Sequence, residues 1–337
     1  MEEKILYYLG AGASVNALPL AKTIFPHDNN RRIEGLAYAM RVLSENISFM
    51  KGDVSNATEY ITEIKNNFTE LADKADAFGD VDTYAKYLYL IDPDSPEFKK
   101  VKSTLSIFFS IKQTHSKALD RRYLPWLVSI MDKKTFPNNI KILSWNYDFQ
   151  VEIAAANFGE QEDITYVNNG YSYKPSSFCY YPNLERGNQD LNPSLIHLNG
   201  IAGFAETPNS QSCSIYQRDR TTNVNELFLF LKENKLDSKI HFAWENKGYH
   251  SDLMNNVNRM IDQTSILVIV GYSFPFFNRE YDKKIFSFLT KTGYLRKIYY
   301  QDPALNGEQL RAQFGLASTI EIVHIPNTEN FHVPFEY

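Results

Sequence analysis

Seven short runs of β-branched, aromatic and aliphatic residues, each closed by turn residues, constrain this 337-residue chain more than any other feature. They are KILYYLG from Lys4, IKILSWN from Ile140, PSLIHLNG from Pro193, KIHFAWE from Lys239, SILVIVGYS from Ser265, KIYYQD from Lys297 and TIEIVHI from Thr319. Apolar runs of this length without polar alternation read as strands buried on both faces. Between several of them lie helix-period segments: Asp148 to Phe158, Asn225 to Asn234, Ser251 to Gln263, Asn278 to Thr292 and Gly307 to Phe314. Strand and helix in alternation predict an α/β fold, a doubly wound parallel sheet with helices on both faces.

One interval breaks the alternation. From 26 to 137 the chain carries helix-period segments such as RRIEGLAYAMRVLSE and FKKVKSTLSIFFSIKQT and no convincing strand. It reads as an inserted helical subdomain, with 1–25 and 138–337 forming the sheet domain. The stretch from about Asn168 to Asn192, rich in Tyr, Asn, Ser and Pro, reads as an ordered loop, a candidate lid or binding loop. The aromatic pairs Phe108–Phe109 and Phe276–Phe277 read as core, with assembly surfaces as the alternative.

Composition excludes several classes. With 35 basic and 40 acidic residues the chain has no cationic excess to grip a phosphate backbone, so direct nucleic-acid binding is not expected. Cys179 and Cys213 are too few for a disulfide framework or a four-thiolate zinc site, and read as free thiols. MEEKILYYLG lacks the plan of a signal peptide, and SILVIVGYSFPFF is too short to span a bilayer. The expectation is a soluble, cytoplasmic protein without membrane contact.

Four motifs sit at strand ends, where a parallel sheet borders its ligand crevice. GAGAS, from Gly10 through Ala11 and Gly12 to Ser14, follows the first strand; its glycines would let backbone amides approach a phosphate, helped by a following helix start. Val15 stands where a dinucleotide fingerprint has its third glycine, so a tight strand-to-helix turn is the alternative. SWNYD brings Asn146 and Asp148, which would orient water or hold a carboxamide or ribose, or simply cap the next helix. LIHLNG brings His197, Asn199 and Gly200; strand alternation would place His197 and Asn199 on one face, with His197 a general base or a buried structural histidine. In GYSFPFFNREYD, Gly271 and Ser273 permit close backbone approach, and Asn278 is a ligand contact or a helix cap.

These four motifs in this order resemble the sirtuin-like family, and more closely its bacterial branch that hydrolyses NAD in anti-phage defence. That branch carries a GAG-x-S loop followed by Leu-Pro-Leu, here Leu18, Pro19 and Leu20. It also carries Asn-Tyr-Asp, here Asn146, Tyr147 and Asp148, the strand end Gly271, Tyr272 and Ser273, and the later Asp302–Pro303. The resemblance implies a Rossmann-like domain. The two Cys-x-x-Cys pairs of zinc-bearing deacylases are missing, as is their Asp-Phe-Arg stretch, which favours hydrolysis without zinc over deacylation. The family's histidine directly precedes the glycine, a position held here by Asn199, with His197 two residues earlier.

The resemblance further implies an NAD glycohydrolase that cleaves NAD to nicotinamide and ADP-ribose, with NAD as substrate. Asn146 would position water or ribose hydroxyls, and His197 or Asn199 would assist deprotonation. Asp148 would contact the nicotinamide carboxamide and Gly10 to Ser14 the pyrophosphate. Gly271, Ser273 and Asn278 would hold the adenosine half, with Gly200 also in the binding set. It implies control by a separate partner, such as a translocase ATPase, an Argonaute-type protein or a nucleotide sensor, or by homo-oligomer formation. A non-catalytic nucleotide or ADP-ribose sensor, and a metal-free deacylase or ADP-ribosyltransferase, are the alternatives.

Overall fold

The computed structural model describes residues 3–24, 33–47, 57–114, 118–131, 136–158, 180–181, 193–206, 212–214, 237–245, 247–304 and 307–337. The expected helix at Asn225 to Asn234, most of the loop from Asn168 to Asn192, and Cys179 lie outside them.

The chain opens with strand β1 (Ile5–Leu9). It then runs through helices α1 (Leu36–Asn46), α2 (Ala57–Phe78), α3 (Val81–Ile91), α4 (Pro96–Thr114) and α5 (Tyr123–Ile130) before reaching β2 (Ile140–Ser144). After α6 (Gln150–Phe158) come the two-residue β3 (Tyr180–Tyr181), β4 (Leu195–His197), β5 (Gly200–Glu206), β6 (Ser212–Ser214) and β7 (Asp237–Ile240). The final third alternates regularly: α7 (Lys247–Ile261), β8 (Ile266–Val270), α8 (Arg279–Lys291), β9 (Lys297–Gln301), α9 (Gly307–Phe314) and β10 (Glu321–Ile325).

Seven strands form one sheet in the order β10-β9-β8-β1-β2-β4-β3, and every neighbouring pair is parallel. Chain order reverses at β1: β2 and β4 extend the sheet one way, β8 to β10 the other. This is a Rossmann-like α/β fold with its crevice expected at the carboxyl ends of β1 and β8.

Strand alternation divides the core in two. Ile5, Tyr7 and Leu9 face a layer made with α1 to α6, whereas Leu6 and Tyr8 face a layer made with α7, α8 and α9. All five described helices between β1 and β2 therefore share one face of the sheet. Phe108 and Phe109 are buried in that layer, but Phe276 is 72% exposed. Among the described residues no helix is long and apolar enough to cross a membrane.

Three local expectations are corrected. KIHFAWE does not join the parallel sheet: its strand portion belongs to β7, which pairs antiparallel with β5 in a separate sheet ordered β6-β5-β7. That small sheet packs on α4, with Phe98 against Phe242 and the Gly203 amide donating to Ser106 Oγ at 2.7 Å. TIEIVHI forms a parallel edge strand, half-exposed along its length rather than buried, because among the described residues no strand lies beyond it. Finally, β4 ends at His197 and Leu198–Asn199 turn, so strand alternation does not set His197 and Asn199 on one face.

Candidate functional site

The residues of GAGAS do not begin an α-helix. Ala11–Ser14 form a single 3-10 turn, and the first α-helix among the described residues starts at Leu36. The expected helix-terminal field at the glycine loop is thus replaced by local backbone geometry. Most of the turn's amides already have partners: Gly10 N donates to Val270 O at 3.0 Å, Gly12 N to Gly271 O at 2.9 Å, and Ala13 N to Gly10 O at 2.9 Å.

The glycines have a packing reason as well. A Cβ on Gly12 would stand 2.7 Å from Gly271 Cα, and one on Gly10 2.6 Å from the Gly271 carbonyl oxygen. Gly271 itself has φ +56°, in the left-handed region that glycine adopts without a Cβ penalty. Gly200 is explained similarly, because it meets the Lys239 carbonyl across β5 and β7. The β1 and β8 turns therefore touch backbone to backbone. Ala11 and Ser273 remain exposed at this contact.

A buried guanidinium from the helical segment holds the glycine turn. Arg122 donates from Nη2 to the carbonyls of Gly12 at 3.2 Å and Ala13 at 2.9 Å. Its charge is met by Asp120 through Nε at 2.9 Å and Nη2 at 2.6 Å. Arg122 also lines a cavity of about 450 Å³ with Trp126, Gln301, Phe331 and His332, at the ends of β9 and β10.

Asn146 and Asp148 meet this turn from the end of β2. Asn146 Nδ2 donates to Gly10 O at 2.9 Å and reaches Ser14 Oγ at 3.4 Å, and its amide donates to Ser144 Oγ. Its Oδ1 makes no hydrogen bond among the described residues. Ser14 Oγ also pairs with the Tyr123 hydroxyl at 3.0 Å. Asp148 accepts from Gln150 N at 3.2 Å at the start of α6, so the helix-start reading of this residue holds alongside any ligand role. Burial pushes the Asp148 carboxyl up to about 6, against the Ser14 hydroxyl, the Gln150 amide and the His197 charge, which pull it down.

His197 closes the group. Its Nε2 lies 2.5 Å from Glu152 Oε1 on α6, and its Nδ1 lies 3.2 Å from the Asn146 carbonyl oxygen. Burial opposes its charge, but the Glu152 carboxylate, the Asn146 carbonyl and Asp148 outweigh burial and raise its pKa. Asn199 Nδ2 donates to Trp145 O at 3.1 Å, and its Oδ1 is buried without a hydrogen-bond partner among the described residues. Asn146, Asp148, His197 and Asn199 are 7, 6, 1 and 7% exposed, so the site is nearly closed.

Asn278 precedes α8 but makes no side-chain cap; its Nδ2 donates instead to the Tyr272 hydroxyl at 3.1 Å. That hydroxyl belongs to a second buried network. Asp282 accepts from Tyr8, Tyr272 and Trp145 at 2.5, 2.9 and 3.2 Å, and burial pushes its carboxyl up to about 7 against those bonds.

The structure thus brings together Gly10, Gly12, Ser14, Asn146, Asp148, His197 and Gly271 directly or through one partner. Asn199 joins through the Trp145 carbonyl, and Asn278 through Tyr272, whereas Gly200 serves the β5–β7 contact. Sequence reasoning missed Glu152, Arg122, Asp120, Tyr123 and Asp282.

Fold and site together define a Rossmann-like α/β protein with a compact polar cluster at the carboxyl edge of its parallel sheet. No protein-family model matches the chain, and no curated protein matches it.

Proposed function

We propose that the protein is an NAD glycohydrolase that cleaves the nicotinamide–ribose bond and releases nicotinamide and ADP-ribose. The observation that carries the reading is the Asn146–Asp148 pair beside the glycine turn. Asn146 is clasped through Nδ2 to Gly10 O with Oδ1 unbonded among the described residues, two positions from a carboxyl with a pKa of about 6. The motif resemblance supplies the substrate.

Cleavage of this bond passes through an oxocarbenium-like state, and nicotinamide leaves as a neutral base that needs no protonation. The protein has to place the ribose, stabilise positive charge and admit water. Above its pKa, ionised Asp148 supplies the negative charge and accepts the proton that water loses on attack. Asn146 Oδ1 accepts a hydrogen bond from that water or from a ribose hydroxyl, and Asp148 would also contact the carboxamide. The exposed Ala11 would flank the pyrophosphate and the exposed Ser273 the adenosine half, and the cavity beside Arg122 is large enough for part of a nucleotide.

A nearly closed site fits an enzyme held inactive until a trigger arrives. The trigger is a partner protein, such as an ATPase, an Argonaute-type protein or a nucleotide sensor, or self-assembly, in an anti-phage role. The exposed Phe276 is a candidate contact.

Purified protein incubated with NAD, with and without candidate activators, should release nicotinamide without any acceptor protein. The rate should rise with pH through about 6 as Asp148 ionises, and Asn146→Ala should lower it by about 10²-fold or more. Unchanged release in Asn146→Ala would refute the assignment. Binding of NAD or ADP-ribose without cleavage would support a sensor, and release only with an acylated or acceptor protein would support a transferase or deacylase.

A further inference from the structure

Glu152 is fully buried on α6, and no motif pointed to it. Its Oε1 faces His197 Nε2 at 2.5 Å, while its Oε2 has no hydrogen-bond partner among the described residues. A carboxylate in that position is strongly disfavoured unless a cation lies against it.

The other ring nitrogen narrows the protonation state. His197 Nδ1 faces the Asn146 backbone carbonyl, which can only accept, so Nδ1 carries a hydrogen. Only the proton between Nε2 and Oε1 is then in question. Placed on nitrogen it makes an imidazolium–carboxylate pair; placed on oxygen it makes a neutral histidine and a neutral acid. Among the described residues the charged groups acting on the ring are Glu152 and Asp148, both acidic, and both favour the first arrangement against the burial that opposes it.

We infer that Glu152 is a positioning residue that holds His197 as an imidazolium, and that His197, so fixed, steadies the Asn146 carbonyl and is not the proton acceptor of the site. Three consequences follow from the geometry. Each ring nitrogen donates to a fixed acceptor, so neither is available to take a proton from water. The Asn146 backbone is tied on one side by His197 Nδ1–H and on the other by Ser144 Oγ, which limits the freedom of its side chain. The Glu152 charge cancels that of His197, so no net positive charge opposes a developing sugar cation. The catalytic part of this inference rests on the hydrolase reading; the charge state of the ring does not.

The test is long-range ¹⁵N–¹H correlation on the full chain labelled at histidine. The chain has seven histidines, and the His197 signals are those lost in His197→Asn. Both ring nitrogens of His197 should remain protonated at about pH 8, where a free imidazole of pKa about 6.5 is neutral. In Glu152→Gln the amide can still donate to a neutral Nε2. The ring should become the Nδ1–H tautomer there, with its titration midpoint lowered by about 2 units or more. A wild-type His197 that is neutral at pH 8 would overturn the inference, as would a midpoint unmoved by Glu152→Gln. Should that variant not fold, the wild-type titration alone decides. With NAD, Glu152→Gln should lower kcat more than it changes KM. Failure of the wild type to release nicotinamide would sink the hydrolase reading and leave the ring measurement decisive.

Discussion

Replacing Gly12 by alanine tests whether the glycines of the first turn serve chain packing or a ligand. The new Cβ would stand 2.7 Å from Gly271 Cα and 2.9 Å from its carbonyl oxygen, where ordinary contact begins near 3.4 Å. Both obstacles are backbone, so no rotamer change relieves them, and the ends of β1 and β8 must separate. Overpacking of this kind costs about 1–3 kcal/mol. Stretching the 2.9 Å bond from Gly12 N to Gly271 O adds about 1 kcal/mol. Gly271→Ala should cost more, because its φ of +56° adds about 1–2 kcal/mol for a residue with a Cβ. Gly315→Ala isolates that backbone contribution, since Gly315 has φ +60° and nothing within 4 Å of a new Cβ. Urea unfolding of the ligand-free protein, read at constant slope, gives each value. One separation of the strand ends relieves both clashes, so the double variant should be less destabilised than the two singles added together. A Gly12→Ala protein within about 0.5 kcal/mol of wild type would refute the packing account. If the wild type binds NAD and that protein does not, a purely ligand-directed glycine would be the better explanation.

Arg122→Met should destabilise by about 3–5 kcal/mol, because it leaves Asp120 buried without its partner. Adding Asp120→Asn should recover part of that loss, and equal stability of the single and double variants by urea unfolding would contradict it. Asp282 titrates near 7 in the fold against about 3.9 in an unfolded chain. Its contribution to stability is therefore full below about pH 4 and lost as pH rises toward 7. Asp282→Asn should flatten that part of the stability–pH curve, and a slope unchanged between pH 4 and 7 would show that another group is responsible.

Much of the sheet was legible because buried parallel strands are locally written: each needs only a short apolar run and a turn. Ile5–Leu9, Ile140–Ser144, Ile266–Val270 and Lys297–Gln301 all fall within runs read directly from the chain, and α9 falls where its pattern lies. KIHFAWE shows the limit, since an apolar run states that it is buried and not which strand it pairs with. The turn at Leu198–Asn199 was hidden for the same reason: residues that continue a strand pattern also fit a turn covered by the next strand. Asn146, Asp148 and His197 could be placed at strand ends, but not in contact.

Local pattern in the chain dictates the alternating architecture, the helical character of the segment between the first two strands, and the position of its polar motifs at strand ends. What those motifs touch is set by the packing of distant segments. Gly12 meets Gly271, Arg122 grips the Gly12 and Ala13 carbonyls, and His197 meets Glu152 across 45 residues of chain. The difference is one of range. Backbone propensity and hydrophobic periodicity act over a few residues, whereas charge pairing and close backbone contact depend on which distant segments the sheet order brings side by side.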